Sequence, residues 1–200
     1  MTDTSHPLRC RCGTLQGRVD HPHAAISRGV CYCRDCQAYA RVLGDPGDVL
    51  DAMGGTDVVA TLQRHIAFTA GLDALACLSL TPRGLLRWYA RCCDTPIGNI
   101  TRNRRLPYIG VVHTCLGSDG AIDAAFGPVR MRVNTATAKG KPDPMRLGTL
   151  HAIGRFAVLM ARARLSRAEA PTPFFTHDAW PVVEPRIVSR DERERAMATL

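Results

Sequence analysis

The chain has 200 residues, a length that favours one domain, or one domain with an appendage, and that can bury an ordinary core without disulfides. With 46% hydrophobic and 22% charged residues, it does not have the composition of a disordered chain. The longest segment without Asp, Glu, Lys or Arg is 106–118, which is too short for a membrane helix of about 20 apolar residues.

The formal net charge of +8 raises the question of a nucleic-acid partner, but the distribution of the charge argues against one. Of the 26 basic residues only Lys139 and Lys141 are lysines, and the arginines are scattered along the chain. The first residues contain no basic segment followed by an apolar stretch. We therefore expect a cytoplasmic protein with no signal peptide and no membrane partner.

Short alternating apolar runs, separated by Gly, Pro and Asp, continue to about residue 135 and predict β-strands. The clearest predicted strands are 58–62, 76–80, 85–89 and 108–112. Pro82-Arg83-Gly84, between the second and third of these, predicts a hairpin turn. A short helix is expected over residues 35–41.

A longer helix is predicted for residues 147–165, with prolines before and after it. Apolar residues recur at helical spacing at Leu147, Leu150, Ile153, Phe156 or Ala157, and Met160. We expect this apolar face to pack against the sheet, and the alternative is a helix that binds a membrane surface or a partner. The alternating charges of residues 190–195 predict a solvated helical end.

The nine cysteines carry the strongest functional signal in the sequence. An odd number of cysteines in a reducing compartment argues against a disulfide framework. Cys77 and Cys115 stand alone among apolar neighbours, so we expect them to be buried as small apolar side chains. The other seven form three clusters, which are Cys10 with Cys12, Cys31 with Cys33 and Cys36, and Cys92 with Cys93.

The number of thiolates in each cluster indicates two kinds of metal site. Close thiol pairs on tight turns can share one tetrahedral zinc ion. Three thiolates from a single short loop leave one tetrahedral position open, as in catalytic zinc sites, unless a distant residue closes it. The remaining two pairs sum to four thiolates, the number in a closed structural site. The sequence therefore predicts two zinc ions, one structural and one reactive.

These motifs, in this order, resemble those of the glutathione-dependent formaldehyde-activating (GFA) family, which includes the CENP-V-like proteins. The motifs are Cys10-Arg11-Cys12-Gly13, Cys31-Tyr32-Cys33-Arg34-Asp35-Cys36-Gln37 and Cys92-Cys93-Asp94-Thr95-Pro96. The resemblance spans residues 8–135 and implies a mainly β, tent-like fold that binds two zinc ions. Together with the predicted C-terminal helix, we expect an α+β fold overall. We therefore expect a GFA-like zinc-binding β domain over residues 1–135 and a C-terminal helical extension, packed on it, over residues 136–200.

The resemblance also distributes the cysteines between the two zinc ions. It implies that Cys10, Cys12 and the late cysteine pair hold the structural zinc. It implies that Cys31, Cys33 and Cys36 hold the reactive zinc and are the catalytic residues.

The third motif departs from the family pattern. The family usually has CxxCG, which would place its first cysteine at Ala90 and its glycine at Asp94. Adjacent residues of a strand point in opposite directions, so Cys92 and Cys93 can bind one ion only across a turn, which we expect over residues 91–96. Three alternatives follow: Cys92 replaces the missing ligand, the closed site has three ligands, or zinc is absent there.

A thiolate-rich zinc with an open position suits the capture of a soft thiolate better than the activation of water. The sequence therefore favours a carbon–sulfur lyase-like enzyme that acts on a small-molecule thiol or thiol adduct. The alternative is a non-catalytic zinc-binding β module for protein or nucleic-acid interaction. Asp35 and His113 are candidate proton shuttles. The arginines near the cysteines, candidates to offset the anionic clusters or to bind a substrate carboxylate, are Arg9, Arg11, Arg34 and Arg91.

Overall fold

The computed structural model of the protein describes residues 5–103, 106–165, 172–178 and 180–198. The strands in these residues are β1 (Ser5–Arg9), β2 (Gln16–Asp20), β3 (Ser27–Cys31), β4 (Thr56–Leu62), β5 (Ile66–Ala70), β6 (Leu75–Ser79), β7 (Leu86–Ala90), β8 (Thr95–Ile100), β9 (Tyr108–Val112), β10 (Met131–Val133) and β11 (Arg186–Ile187). The helices are α1 (Arg34–Val42), α2 (Asp119–Phe126), α3 (Arg146–Leu165) and α4 (Arg190–Ala198).

The strands form a small and a large sheet. The small sheet has the antiparallel order β1-β2-β5, and the large sheet has the order β10-β3-β4-β9-β8-β7-β6-β11. Within the large sheet, β10 pairs with β3 and β11 with β6 in parallel, and the other pairs are antiparallel. The fold is therefore mainly β with a C-terminal helix, α+β overall, as predicted.

The main core lies between the two sheets. Leu8 and Val19 of the small sheet belong to the same buried cluster as Trp88, Ile97 and Val111 of the large sheet. A second cluster on the other face of β6 and β7 joins them to α1 and α4. Because side chains alternate along a strand, β7 contributes side chains to both clusters. The side of β7 that faces away from the main core therefore faces α1.

The predicted strands and the short helix are confirmed, with small changes at their ends. Residues 58–62 lie in β4, 76–80 in and just after β6, 85–89 in and just before β7, and 108–112 in β9. The turn at Pro82-Arg83-Gly84 joins β6 and β7, which pair antiparallel. Cys77 is buried within β6, as expected for a core cysteine.

The helix predicted over 147–165 is confirmed as α3, but the prediction of its packing face is wrong for its first half. Leu147, Leu150 and Ile153 are 85%, 67% and 57% exposed. The first half packs instead through Ala152, which is buried, whereas in the second half the predicted Met160 is buried. The buried and exposed sides are both apolar, so spacing alone could not choose between them.

Gly148 explains how close α3 comes to the rest of the protein. A Cβ atom at this position would lie 1.9 Å from the backbone oxygen of Arg130. Only glycine allows this approach, which brings Ala152 and Met160 onto the protein. Phe156 extends the contact through an edge-to-face ring pair with Tyr108, with centroids 5.0 Å apart.

The C-terminal part of the chain contributes to the large sheet as well as to the helical layer. α4 packs against α1 and buries Ala196, while its charged residues 190–195 are mostly exposed, as predicted. The division of the chain at residue 135 stays a prediction. Within the described parts of the chain, no helix combines the length and the apolar character needed to cross a membrane.

Candidate metal centres

The first cysteine cluster joins the two sheets. Cys10 and Cys12 lie in the turn between β1 and β2 of the small sheet, and Cys92 and Cys93 lie in the turn between β7 and β8 of the large sheet. A hydrogen bond from the Arg11 backbone N–H to Thr95 Oγ1 (3.0 Å) holds the turns together. We call these four residues the four-cysteine cluster.

The sulfur atoms of the four-cysteine cluster have the separations of a tetrahedral metal site. The Sγ–Sγ distances are 3.6 Å for Cys10–Cys12, 3.7 Å for Cys10–Cys92, 3.4 Å for Cys12–Cys92 and 3.9 Å for Cys92–Cys93. All four Sγ atoms lie within 4.8 Å of one another. A tetrahedron with metal–sulfur bonds of about 2.3 Å has sulfur–sulfur edges of about 3.8 Å. The cluster could therefore hold one metal ion.

Cys92 joins this cluster because the chain turns sharply at the end of β7. Residues 91–94 form the turn, and Asp94 adopts a left-handed backbone conformation with φ 52°. Ala90, where the GFA pattern has a cysteine, is fully buried in β7. The expected turn over 91–96 is two residues too long, because Thr95 and Pro96 pair with β7.

The second cluster comes from one continuous segment, and we call it the three-cysteine cluster. Cys31 ends β3, Cys33 is the N-cap of α1, and Cys36 lies in the first turn of that helix. Cys33 Sγ accepts a hydrogen bond from the Cys36 backbone N–H (3.3 Å), and the Cys31 and Cys36 sulfurs are 3.8 Å apart. The three sulfurs lie within 4.8 Å of one another, so this cluster could also hold a metal ion.

Within the described ranges no fourth His, Cys, Asp or Glu completes the three-cysteine cluster. Cys36 is buried, whereas Cys31 and Cys33 are half-buried, so solvent reaches one side of the cluster. The first turn of α1 faces the cluster, and the partial positive charge of a helix N-terminus favours thiolates. The cluster therefore combines three preorganised sulfur donors with one accessible side.

Two polar side chains that the sequence analysis did not single out contact the three-cysteine cluster. Asn134, just after β10, donates from Nδ2 to Cys31 Sγ (3.4 Å), and Arg87 Nη1 lies 3.9 Å from Cys36 Sγ. Asn134 has φ 56° and directly follows β10, which pairs with β3. Neither residue lies near the cysteines in sequence, so only the pairing of β10 with β3 and the packing of α1 on β7 bring them there.

The residue after the third cysteine fixes the loop. Gln37 Nε2 donates to the backbone oxygens of Tyr32 and Thr137, at 2.9 Å in each case. Thr137 Oγ1 also donates to the Tyr32 oxygen (2.6 Å). These bonds tie the segment after β10 to the cysteine loop, which orients the loop before any metal binds.

Comparison with known proteins adds a family but no activity. Residues 2–184 match a family described as a family of unknown function, DUF6151. The chain belongs to the DUF6151 family. No curated protein is similar enough to count as a match. Neither comparison therefore assigns a chemistry to the cysteine clusters of this DUF6151 protein.

Hydrogen bonds between the sulfurs distribute charge in both clusters of the DUF6151 protein. Hydrogen bonds from Cys33 and Cys36 lower the pKa of Cys31, and their bonds to Cys31 raise the pKa of Cys33 and Cys36. In the four-cysteine cluster, hydrogen bonding with Thr14 lowers the pKa of the Cys12 thiol to about 6. Without a metal, each cluster thus has at least one sulfur with a lowered pKa, which favours the thiolate form that a metal ligand must have.

The other predicted residues of the DUF6151 protein occupy separate places. Asp35 is 58% exposed beside the three-cysteine cluster, with a carboxylate oxygen 4.0 Å from Arg87 Nη2. His113 is not at this cluster, since its Nδ1 lies 3.2 Å from the Asp57 backbone oxygen. It lines a cavity of about 340 Å³ beside Cys10. Cys115 is buried, as expected, and burial raises its pKa.

The four arginines singled out near the cysteines have different surroundings. Arg11 pairs with Asp45 and Asp48 and donates from Nη2 to the Cys93 backbone oxygen (2.8 Å). Arg91 donates to a backbone oxygen of β6, Arg9 lines the cavity beside Cys10, and Arg34 is the first residue of α1. Arg11 therefore supports the four-cysteine cluster through its turn rather than by contact with a sulfur.

Proposed function

We propose that this DUF6151 protein is a zinc-dependent carbon–sulfur lyase-like enzyme that acts on a small thiol adduct. The observation that carries the proposal is the pair of clusters, one with four sulfurs and one with three sulfurs and an accessible side. Four thiolates make a closed structural site, and three leave a tetrahedral position for a substrate. We assign the structural zinc to the four-cysteine cluster and the reactive zinc to the three-cysteine cluster.

The donor atoms support zinc as the metal. Both clusters offer only sulfur, and the sulfur–sulfur distances of 3.4–3.9 Å suit tetrahedral geometry. Zinc bound by three thiolates supplies a soft position that prefers an incoming thiolate over water. The reaction class that this favours is the making or breaking of a carbon–sulfur bond.

The residues around the three-cysteine cluster have separate roles in this proposal. Cleavage of a thiohemiacetal adduct moves the hydroxyl proton to an acceptor, breaks the carbon–sulfur bond and releases an aldehyde and a thiolate, so no oxidant or reductant is required. Asp35, an exposed carboxylate in the first turn of α1, is the candidate acceptor of that proton. Asn134 holds Cys31 through its 3.4 Å hydrogen bond and so fixes the edge of the substrate position.

The proposal includes a divergent relationship to the GFA family. The order of the three cysteine motifs supports it, and the positive φ of Asp94 gives a reason for the glycine that the family usually has there. The absence of a cysteine at Ala90 and the presence of Cys92 mark the divergence. For this reason the proposed substrate class is a small thiol adduct in general, without a commitment to glutathione.

The experiment combines metal analysis with a panel of thiol–aldehyde adducts. We expect two zinc ions per chain and turnover of at least one adduct by the unaltered protein. Cys33→Ser should lose one zinc ion and the turnover, whereas Cys77→Ala, at a buried cysteine outside both clusters, should keep both. Two bound zinc ions without turnover of any adduct would contradict the lyase proposal and favour the non-catalytic zinc-binding module.

A further inference from the structure

Arg87 is a buried cation on the face of β7 that looks away from the main core. Leu86, Trp88 and Ala90 pack into the core between the sheets, so alternation along the strand directs Arg87 toward α1. Its side chain is only 1% exposed. A guanidinium keeps its charge in proteins, so a positive charge is buried directly beneath the helix that carries Cys36.

The contacts of Arg87 leave most of that charge unneutralised by carboxylates. Nη1 donates to Asn99 Oδ1 (3.0 Å), and the guanidinium carbon lies 5.1 Å from the centre of the Tyr39 ring. In the described part of the chain, Asp35 is the one carboxylate within 4.0 Å, and its side chain is 58% exposed. The nearest sulfur contact is Cys36, at 3.9 Å from Nη1.

Arg28 shows how the same protein neutralises another buried arginine. Its side chain is 4% exposed, and two nitrogens bind the Asp57 carboxylate at 2.7 to 3.2 Å. Asp123 supplies a second carboxylate partner. A buried charge without a counter-charge is costly, and Arg28 meets this requirement with acidic residues. Arg87 has only the more distant and exposed Asp35, so an anionic three-cysteine cluster would supply the counter-charge that it otherwise lacks.

A metal-loaded three-cysteine cluster has the required charge. Three thiolates around one Zn²⁺ carry a net single negative charge, which one guanidinium balances. The sulfur of Cys36 is the buried member of the cluster and the one closest to Arg87, so the two charges meet away from solvent. Solvent screening is weak there, which strengthens the interaction.

We propose that Arg87 is a positioning residue that stabilises the metal-loaded three-cysteine centre through its buried charge and orients Cys36. The inference rests on the proposed function, since it requires zinc at this cluster. Arg87 acts through Cys36 and Asn99 and does not bind the metal itself. Substitution of a residue that contacts a metal ligand typically weakens metal binding by about 10–100-fold.

The test measures zinc affinity at each centre by competition with a chromophoric chelator. The phase of zinc release that is missing in Cys33→Ser identifies the three-cysteine centre, and the other phase serves as an internal reference. We expect Arg87→Met to weaken zinc binding at the three-cysteine centre by about 10–100-fold and to leave zinc binding at the four-cysteine cluster unchanged. Arg87→Lys should recover part of the loss, because it restores the charge without the planar geometry.

Two further variants separate a local effect on zinc affinity from a general loss of stability. Arg28→Met removes a buried arginine that is neutralised by Asp57 and Asp123. We expect it to destabilise the fold without changing zinc affinity at the three-cysteine centre. Arg87→Gln removes the charge but keeps a donor for Asn99, and it replaces Arg87→Met if that variant does not fold. We expect the same loss of affinity from it.

Two results would overturn the inference while the proposed function stands. One is unchanged zinc affinity at the three-cysteine centre in a folded, charge-free Arg87 variant. The other is equal weakening of both phases, which would indicate a general structural effect. A wild-type protein that shows no phase sensitive to Cys33→Ser would contradict the proposed function itself, and the inference with it.

Discussion

At the residue scale, the backbone at Asp94 decides the make-up of the four-cysteine cluster. Its left-handed conformation turns the chain within residues 91–94, so the adjacent Cys92 and Cys93 both approach Cys10 and Cys12. Asp tolerates this conformation better than most side chains do. Cys92 is the sulfur with the most short contacts in the cluster, at 3.4 to 3.9 Å. In the proposed relationship to the GFA family, Cys92 replaces the cysteine that the family pattern has at position 90.

A residue-scale prediction follows for thiol labelling. A thiolate bound to zinc is protected, whereas a free thiol reacts according to its thiolate fraction and exposure. Cys92 is exposed and Cys93 half-buried, so burial alone would not protect Cys92. We expect that neither residue reacts quickly in the zinc-loaded protein and that both react after chelation, as measured by mass spectrometry of labelled peptides. Cys77, which is buried, is the control and should stay unlabelled in both states until the protein unfolds.

The labelling experiment also separates the alternatives for the third motif. Rapid labelling of Cys92 alone, with zinc still bound, would show that Cys92 is a free thiol. The closed site would then need another fourth ligand, and Cys92 would become a candidate nucleophile.

At the element scale, α3 shows what helical spacing can and cannot determine. The apolar repeat correctly predicted a helix over 147–165, because the 3.6-residue period does not depend on which side is covered. Gly148 lies on the side that packs, and its missing Cβ lets the helix approach Arg130. Met160 is buried with Ile26 and Leu62, whereas Leu147, Leu150 and Ile153 remain exposed.

Two substitutions in α3 test this assignment of faces. Met160→Ala should destabilise the protein by about 2 kcal/mol or more, because it leaves a cavity among packed side chains. Leu150→Gln should change the free energy of unfolding by no more than about 0.5 kcal/mol, because the side chain is 67% exposed. Denaturant unfolding of both variants, in zinc-saturated buffer, provides the measurement. A large loss of stability from Leu150→Gln would show that this face is covered in solution.

At the scale of the whole molecule, the two clusters have different relations to the fold. The four-cysteine cluster connects a turn of the small sheet with a turn of the large sheet. The two turns are far apart in the chain, since Cys10 and Cys92 are separated by 82 positions. The three-cysteine cluster lies within residues 31–36. A cross-link that closes a long loop removes more entropy from the unfolded chain than one that closes a short loop.

The relative stability of two cysteine variants tests this difference. We expect Cys12→Ser to lower the midpoint of thermal unfolding more than Cys33→Ser does, because metal binding is coupled to folding across the two sheets. Chelation should lower the midpoint of the unaltered protein and of Cys33→Ser by more than it lowers the midpoint of Cys12→Ser. Circular dichroism and metal content provide the readouts. Equal midpoints for the two variants would contradict the assignment of a structural and a reactive centre.

The sequence by itself determined the β-rich class, the main strands, the helices at 35–41 and 147–165, and the grouping of seven cysteines. These features follow from local spacing, turn residues and the number of thiols, which a linear chain displays directly. The tertiary structure decided that Cys92 belongs with Cys10 and Cys12, and that Asn134 and Arg87 contact the three-cysteine cluster. It also decided which side of α3 is buried. These features depend on contacts between segments that are distant in the chain, and no local pattern records which segments pack together.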